Sequence, residues 1–162
     1  MAQGAYDIRL AHRDELPVIL ALQHRAFGRV AEEAGLDPQV LDPIKEDLRD
    51  LRRLFDSGTM FLVAVGPNAD VLGSVRGWYS DGVLMVNRLV IESGWERRGI
   101  GMALMDVLEA QFPHASAFRL FTGAKSEAPL ALYQKRGYNV VGMQDREHFV
   151  LAWLEKPGPE AV

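Results

Sequence analysis

Glu96-Arg97-Arg98-Gly99-Ile100-Gly101 sets two arginines and two glycines within six positions, and the run then turns apolar through Met102, Leu104 and Met105. Glycines let a ligand approach the backbone, and arginines add fixed positive charge. If the apolar half opens a helix, the unpaired N–H groups of its first turn face the same place as the positive end of its dipole. An anion is the guest such a loop suits, a pyrophosphate above all. The same residues also fit a glycine-loosened helix start with a solvated arginine pair. A dinucleotide fingerprint is excluded, because Leu104 stands where a third small residue belongs. A Walker loop is excluded as well, since no Gly-Lys-Ser or Gly-Lys-Thr occurs.

Three further positions are of chemical interest. Tyr133 lies in LALYQKRGY, residues 130–138. A phenol with a reference pKa of ~10 keeps its proton at neutral pH and can donate it or share it; a tyrosine packed on a sheet is the plainer reading. Arg76 suits a substrate carboxylate or a surface ion pair at a sheet rim. Pairing the strands across Asp81-Gly82 sets Asn87 opposite Arg76, on a face with Trp78, Met85 and Leu89, and puts Arg88 on the other face with its stem against a helix. His12, His24, His114 and His148 lack metal-ligand spacing, so no metal is expected. With no cysteine in the chain, disulfides, thiolate metal sites and a covalent cysteine intermediate are excluded.

The elements that must position these residues follow from periodicity. Residues 5–11 alternate as a short strand. Asp14 offers an N-cap, Pro17 sits in the first turn, and Leu16, Ile19, Leu20, Leu22 and Phe27 form the stripe of a helix running to about Gly28. After the break at 35–38, Ile44, Leu48, Leu51 and Phe55 mark one face of a second helix. Strands follow over 59–66, 70–80 and 83–92, the last two joined by Asp81-Gly82, a strong hairpin signal. Ile100, Ala103, Leu104, Val107, Leu108 and Phe112 define a third helix that ends before Pro113. A strand over 116–123, a helix capped by Ser126 through about Arg136, and two last strands complete the order β-α-α-β-β-β-α-β-α-β-β. This is a mixed α+β sheet with helices on its faces, not a regular β-α-β alternation.

Composition agrees with one domain over 1–156 and a frayed tail over 157–162. The chain has 162 residues, 48% hydrophobic and 25% charged, with a formal charge of −4. An acidic balance disfavours nucleic acid and anionic membranes as partners, no run approaches the ~20 apolar residues of a membrane helix, and the start lacks the order of a signal peptide. A cytoplasmic protein is the expectation.

The loop with its surroundings resembles the GNAT superfamily of N-acetyltransferases, whose acetyl-CoA loop reads Gln/Arg-x-x-Gly-x-Gly/Ala. Here it falls on Glu96 to Gly101, with Glu96 departing from the usual first residue. LYQKRGY likewise resembles the family's Leu-Tyr-x-x-x-Gly-Phe/Tyr, with Leu132, Tyr133, Gly137 and Tyr138 matching. The two motifs stand in the right order, each on its expected element, and the resemblance extends over about residues 5 to 156. It implies a mostly antiparallel seven-stranded sheet, splayed between its fourth and fifth strands and flanked by four helices. It implies acetyl-CoA as co-substrate: Arg97, Arg98, Gly99, Ile100, Gly101 and Met102 at the pyrophosphate, Leu89 and Ile91 pairing with the pantetheine arm, and Ser126 as a further contact, although Pro129 stands where one branch carries Asn. Tyr133 becomes the general acid for the thiolate, and Arg76 and Asn87 become candidates to read the acceptor. Met85 occupies the place of a glutamate base found in some relatives, leaving that task to a water or to a residue of the first two helices or their loop, such as His24 or Glu32.

The reaction implied is acetyl transfer from acetyl-CoA to a primary amine of a small molecule or a peptide N-terminus in a ternary complex; a homodimer is compatible with it. A catalytically weak CoA-binding sensor or interaction module is the alternative, and a purely structural oligomerisation domain is a third reading.

Overall fold

The computed structural model describes residues 6–161. Seven strands form one hydrogen-bonded sheet in the order β1-β2-β3-β4-β5-β7-β6, comprising β1 (Asp7–Leu10), β2 (Met60–Val65), β3 (Val71–Ser80), β4 (Val83–Ile91), β5 (Ala117–Gly123), β6 (Asn139–Asp145) and β7 (Val150–Pro157). The pairings β1–β2, β2–β3, β5–β7 and β6–β7 are antiparallel, and β4–β5 is parallel. The β4–β5 ladder ends at Met85–Arg119, although β4 runs on to Ile91 and β5 to Gly123. The mixed α+β class and the splay are therefore as the resemblance implies. Five α-helices occur among the described residues: α1 (Leu16–Ala34), α2 (Asp42–Lys45), α3 (Leu48–Asp56), α4 (Ile100–Ala110) and α5 (Glu127–Lys135).

The helix count exceeds the expected four because the second expected helix is broken. Glu46 takes an extended conformation after the single turn of α2, and Asp47 restarts the chain as N-cap of α3, with Asp47 and Asp50 forming a reciprocal capping box. The first helix is longer than its apolar stripe indicates. It passes through Gly28 and ends at Gly35, which adopts the left-handed conformation of a C-cap. Asp14 sits in a 3-10 turn before α1 rather than capping the helix.

The sequence reads as one domain over 1–156; the contacts group into two compact units, Met1–Gly77 with Arg88–Leu108, and Trp78–Asn87 with Glu109–Val162. In the first, Phe61 and Val63 of β2 point to a core with Leu16, Ile19 and Leu22 of α1 and Leu51 of α3. Period 2 then sends the alternate residues to the other face. There Gly73, paired with Ala64, admits Ile91, Ile100 and Leu104, whose side-chain ends would stand 3.1–3.2 Å from any β-carbon at that position. A side chain at residue 73 would make these three side chains give way by a few tenths of an ångström.

In the second unit, Asp81 and Gly82 both have positive φ, 52° and 81°, as the hairpin signal requires. Glu109, at the end of α4, accepts from the Tyr138 hydroxyl at 2.8 Å and Arg136 Nη2 at 2.9 Å, and it also pairs with Lys156. Burial first, then the Glu109 charge, pushes the Tyr138 phenol far up. The tail is not frayed where it is described. Gly158 N–H donates to Ser116 O at 2.9 Å and Glu160 N–H to Ala115 O at 3.0 Å, so backbone pairing continues past Pro157.

One ion pair reports on acid stability. Glu15 Oε1 and Oε2 accept from Arg9 at 2.8 and 2.9 Å, and the His12 N–H adds a third bond at 2.8 Å. The Arg9 hydrogen bond holds the Glu15 carboxyl down at about 2, from an ordinary 4.5. A depressed carboxyl contributes stability that is full above its unfolded pKa and lost as pH falls toward the folded one. Denaturant titrations of the wild type should therefore lose stability between pH 4.5 and about 2, and Glu15→Gln should flatten that part of the profile while weakening the protein at pH 7.

Candidate active site

Residues 92 to 99 connect β4 to α4, and three of them have positive φ: Gly94 at 89°, Arg97 at 62° and Gly99 at 82°. At Gly99 a β-carbon would meet no heavy atom within 4 Å, so the backbone there borders open space. The first bond of α4 runs from the Ala103 N–H to Gly99 O at 3.0 Å. The N–H groups of Ile100, Gly101 and Met102 consequently have no acceptor within their own helix. Ile100 and Leu104 are buried beneath them and hold the helix start in place. Arg97 and Arg98 are exposed on the loop, and Arg98 stacks on Trp95 at 4.7 Å. Open backbone donors, a positive dipole end and two guanidinium groups fit a pyrophosphate.

The structure also gives Glu96 a role. Its Oε2 accepts from the Gly94 N–H at 3.1 Å, and its Oε1 lies 3.8 Å from Arg29 Nη2. One turn earlier on α1, Arg25 donates to Glu92 Oε2 at 2.6 Å. Two arginines spaced i,i+4 on α1 thus face two glutamates spaced i,i+4 on the loop. The Glu96 carboxylate braces the loop from within, and Arg29 offsets part of its charge.

Leu89 and Ile91 are half-buried on the last part of β4, and Ile91 O accepts from Arg29 Nη2 at 3.4 Å. Between Asn87 and Leu89, Arg88 has a positive φ of 53°, a conformation costly for a residue with a side chain. This irregularity upsets any face assignment made by simple alternation. Instead of lying on the face away from Arg76, Arg88 donates through Nε to Glu46 Oε1 at 3.1 Å, while Arg76 Nη2 donates to Glu46 Oε2 at 2.7 Å. Phe61 pairs with Arg76 across β2 and β3, which sets Arg76 on the α1 side with its guanidinium 5.8 Å over the ring. Arg76 is buried, not a surface pair at a rim.

Glu46 is the residue periodicity did not reveal. Its Oε1 also accepts from Gln23 Nε2 at 2.7 Å, and its backbone O lies 2.9 Å from His24 Nε2. Burial alone would raise its carboxyl, but the Arg76 hydrogen bond and the charges of Arg76 and Arg88 outweigh that and hold it below the usual range. Burial lowers Arg88, against the pull of Glu46.

Ser126 stands at the N-cap position of α5, yet its hydroxyl makes no capping bond; its Oγ lies over Gly123. Tyr133, on α5, is 9% exposed and meets Tyr138 edge-on, with ring centroids 6.0 Å apart. Burial pushes its phenol up to about 12. Among the described residues, no group of three or more His, Asp or Glu is placed to hold a metal ion, and no helix is long and apolar enough to cross a membrane.

The chain thus combines a splayed α+β sheet with an arginine-bearing loop between β4 and the anchored start of α4. The acetyltransferase (GNAT) domain model matches residues 56–140, more than half of the chain. The chain belongs to the GNAT family and is an acyltransferase of that family. No curated protein matches it by sequence. Its fold is similar to the PaiA N-acetyltransferase of Thermoplasma acidophilum in complex with coenzyme A, at a TM-score of 0.78 and 16% identity over 94% of this chain and 99% of that one. The ribosomal-protein-S18-alanine N-acetyltransferase of Escherichia coli aligns at 0.77 and 13% identity, covering 94% and 93%. A phosphinothricin acetyltransferase of Sinorhizobium meliloti in complex with acetyl-CoA aligns at 0.76 and 14% identity, covering 98% and 91%.

Glu96 gives the loop a measurable signature. A charged carboxylate beside a pyrophosphate opposes it, but the bond to Gly94 also stiffens the loop, and glutamine keeps the oxygen that accepts that bond. Isothermal titration calorimetry should find Glu96→Gln binding CoA about two- to fivefold more tightly than wild type, the scale of a solvent-exposed charge interaction, and Arg29→Ala binding it more weakly.

Proposed function

We propose that the protein is an N-acetyltransferase that passes the acetyl group of acetyl-CoA directly to a primary amine of a small molecule or a peptide N-terminus, with both substrates bound together. The observation that carries this reading is the loop backbone at Arg97 and Gly99, both of positive φ and open at Gly99, leading into the free first-turn N–H groups of an anchored helix, in a chain of the GNAT family. Residues 1–156 act as one catalytic domain in this reading, in the cytoplasm.

Bound acetyl-CoA supplies an acetyl carbon activated by a thiol leaving group. Arg97, Arg98, Gly99, Ile100, Gly101 and Met102 hold its pyrophosphate. Leu89 and Ile91 offer backbone groups to the pantetheine arm as a neighbouring strand would, and Ser126 contacts the arm. The amine must be neutral when its nitrogen forms the new bond to the acetyl carbon, so its proton must leave. His24 fits that task. A carbonyl only accepts, so the contact with Glu46 O requires the hydrogen on Nε2, and in the neutral ring Nδ1 keeps its lone pair. Glu46 does not fit, because three donors already occupy its oxygens; Glu32 is exposed on α1. As the carbon–sulfur bond breaks, Tyr133 donates a hydrogen bond to the sulfur. Its phenol, raised to about 12, holds its proton more firmly than a thiol of pKa ~8.5. It therefore steadies the departing thiolate without surrendering the proton.

Tyr133→Phe should lower kcat by about 10²-fold, the low end of what one hydrogen-bond donor to a developing anion contributes, while the Kd for acetyl-CoA stays within about twofold. A thiol reagent that reads free CoA across a panel of amines makes the measurement. CoA released only in the presence of some amine supports the reading, and acetyl-CoA binding with no release across the panel replaces it with a CoA-binding module.

A further inference from the structure

We infer that the acceptor amine carries a carboxylate that docks on Arg76; this rests on the acetyltransferase reading above. Arg76 is 3% exposed, so its guanidinium lies almost wholly out of water. Of its three nitrogens, only Nη2 has a partner, Glu46 Oε2; Nε and Nη1 are buried with no hydrogen-bond acceptor among the described residues. Buried polar groups are nearly always satisfied, and a charged group left with two unmet donors is among the costliest exceptions. A salt bridge kept for stability alone would bring acceptors to those atoms.

Two further features meet at the same place. Arg88 is held in a left-handed conformation and directs its guanidinium to the same Glu46 carboxylate. Glu46 in turn lies at the end of a connector made of a 3-10 turn and one helical turn, Pro38–Val40 and Asp42–Lys45. Gln23 ties that connector to α1, donating to Glu46 Oε1 at 2.7 Å and to Pro43 O at 2.9 Å. Backbone strain at Arg88 and unmet donors on Arg76, both gathered at one carboxylate, together mark a site that binding completes. The occupant's chemistry is shown by the group already there. The Glu46 carboxylate engages one nitrogen of a guanidinium whose fork is built for two. An acceptor carboxylate that takes the Nη1–Nη2 edge satisfies a donor that Glu46 leaves bare.

The test uses the full chain and product-like probes: N-acetyl amino acids with small, acidic, basic and aromatic side chains, each beside its C-terminal amide. Calorimetry on the wild type should find at least one acid bound about tenfold or more tightly than its amide, as expected for a charge-assisted bidentate contact. Arg76→Lys keeps the charge but loses the fork, and should reduce that preference to about twofold or less while the Kd for CoA stays unchanged. Glu46→Gln should lower Tm, and the preferred acid should restore part of the loss where its amide does not. If no acid binds better than its amide, or if Arg76→Lys keeps the preference, the inference is overturned. These readouts need no turnover. Selective binding of the acid without CoA release from acetyl-CoA and any amine would defeat the acetyltransferase reading alone, whereas equal turnover of acids and amides would defeat the carboxylate site alone.

Discussion

Backbone donors without acceptors are the constraint around which the first compact unit is organised. An N–H without an acceptor is tolerated only at a surface or where a ligand completes it, and the start of α4 presents three in a row that its own helix does not pair. Keeping them in place takes the rest of the unit. Gly73 gives up its side chain so that Ile100 and Leu104 can seat the helix on the sheet. The arginines of α1 brace the loop through Glu92 and Glu96.

Much of this was legible in the residues because it depends on local rules. Alternation marks strands, Asp81-Gly82 specifies a turn whose two residues both need positive φ, and a glycine pair ahead of an apolar stripe exposes backbone whatever surrounds it. What escaped is of another kind. No residue type announces that Arg88 will be left-handed, and that one torsion reassigns a side chain to the opposite partner. The Arg76–Glu46 pair spans 30 positions and draws on a connector without periodicity. The break between α2 and α3 was in principle readable, since Asp47-x-x-Asp50 has the spacing of a capping box, but the apolar stripe across it masks the interruption. The apolar stripe fades near Gly28 although α1 runs on to Ala34, because a helix tolerates an interior glycine when packing carries it.

Glu96 shows how a departure from a family pattern can be absorbed locally. The usual residues at that position are neutral or basic, in keeping with an anion nearby. Here the carboxylate turns back on its own loop, toward the Gly94 N–H and Arg29, so the chemistry of the motif shifts from side chain to backbone without losing the shape.

The end of the chain contributes more than its composition implies. Because Gly158 and Glu160 extend the backbone pairing beyond β7, the carbonyls of Ala115 and Ser116 rely on the last few residues for their donors. Shortening the protein to the end of its apolar pattern would uncover two acceptors at the foot of β5, so the practical boundary for a minimal domain lies a few residues later than hydrophobicity alone would place it.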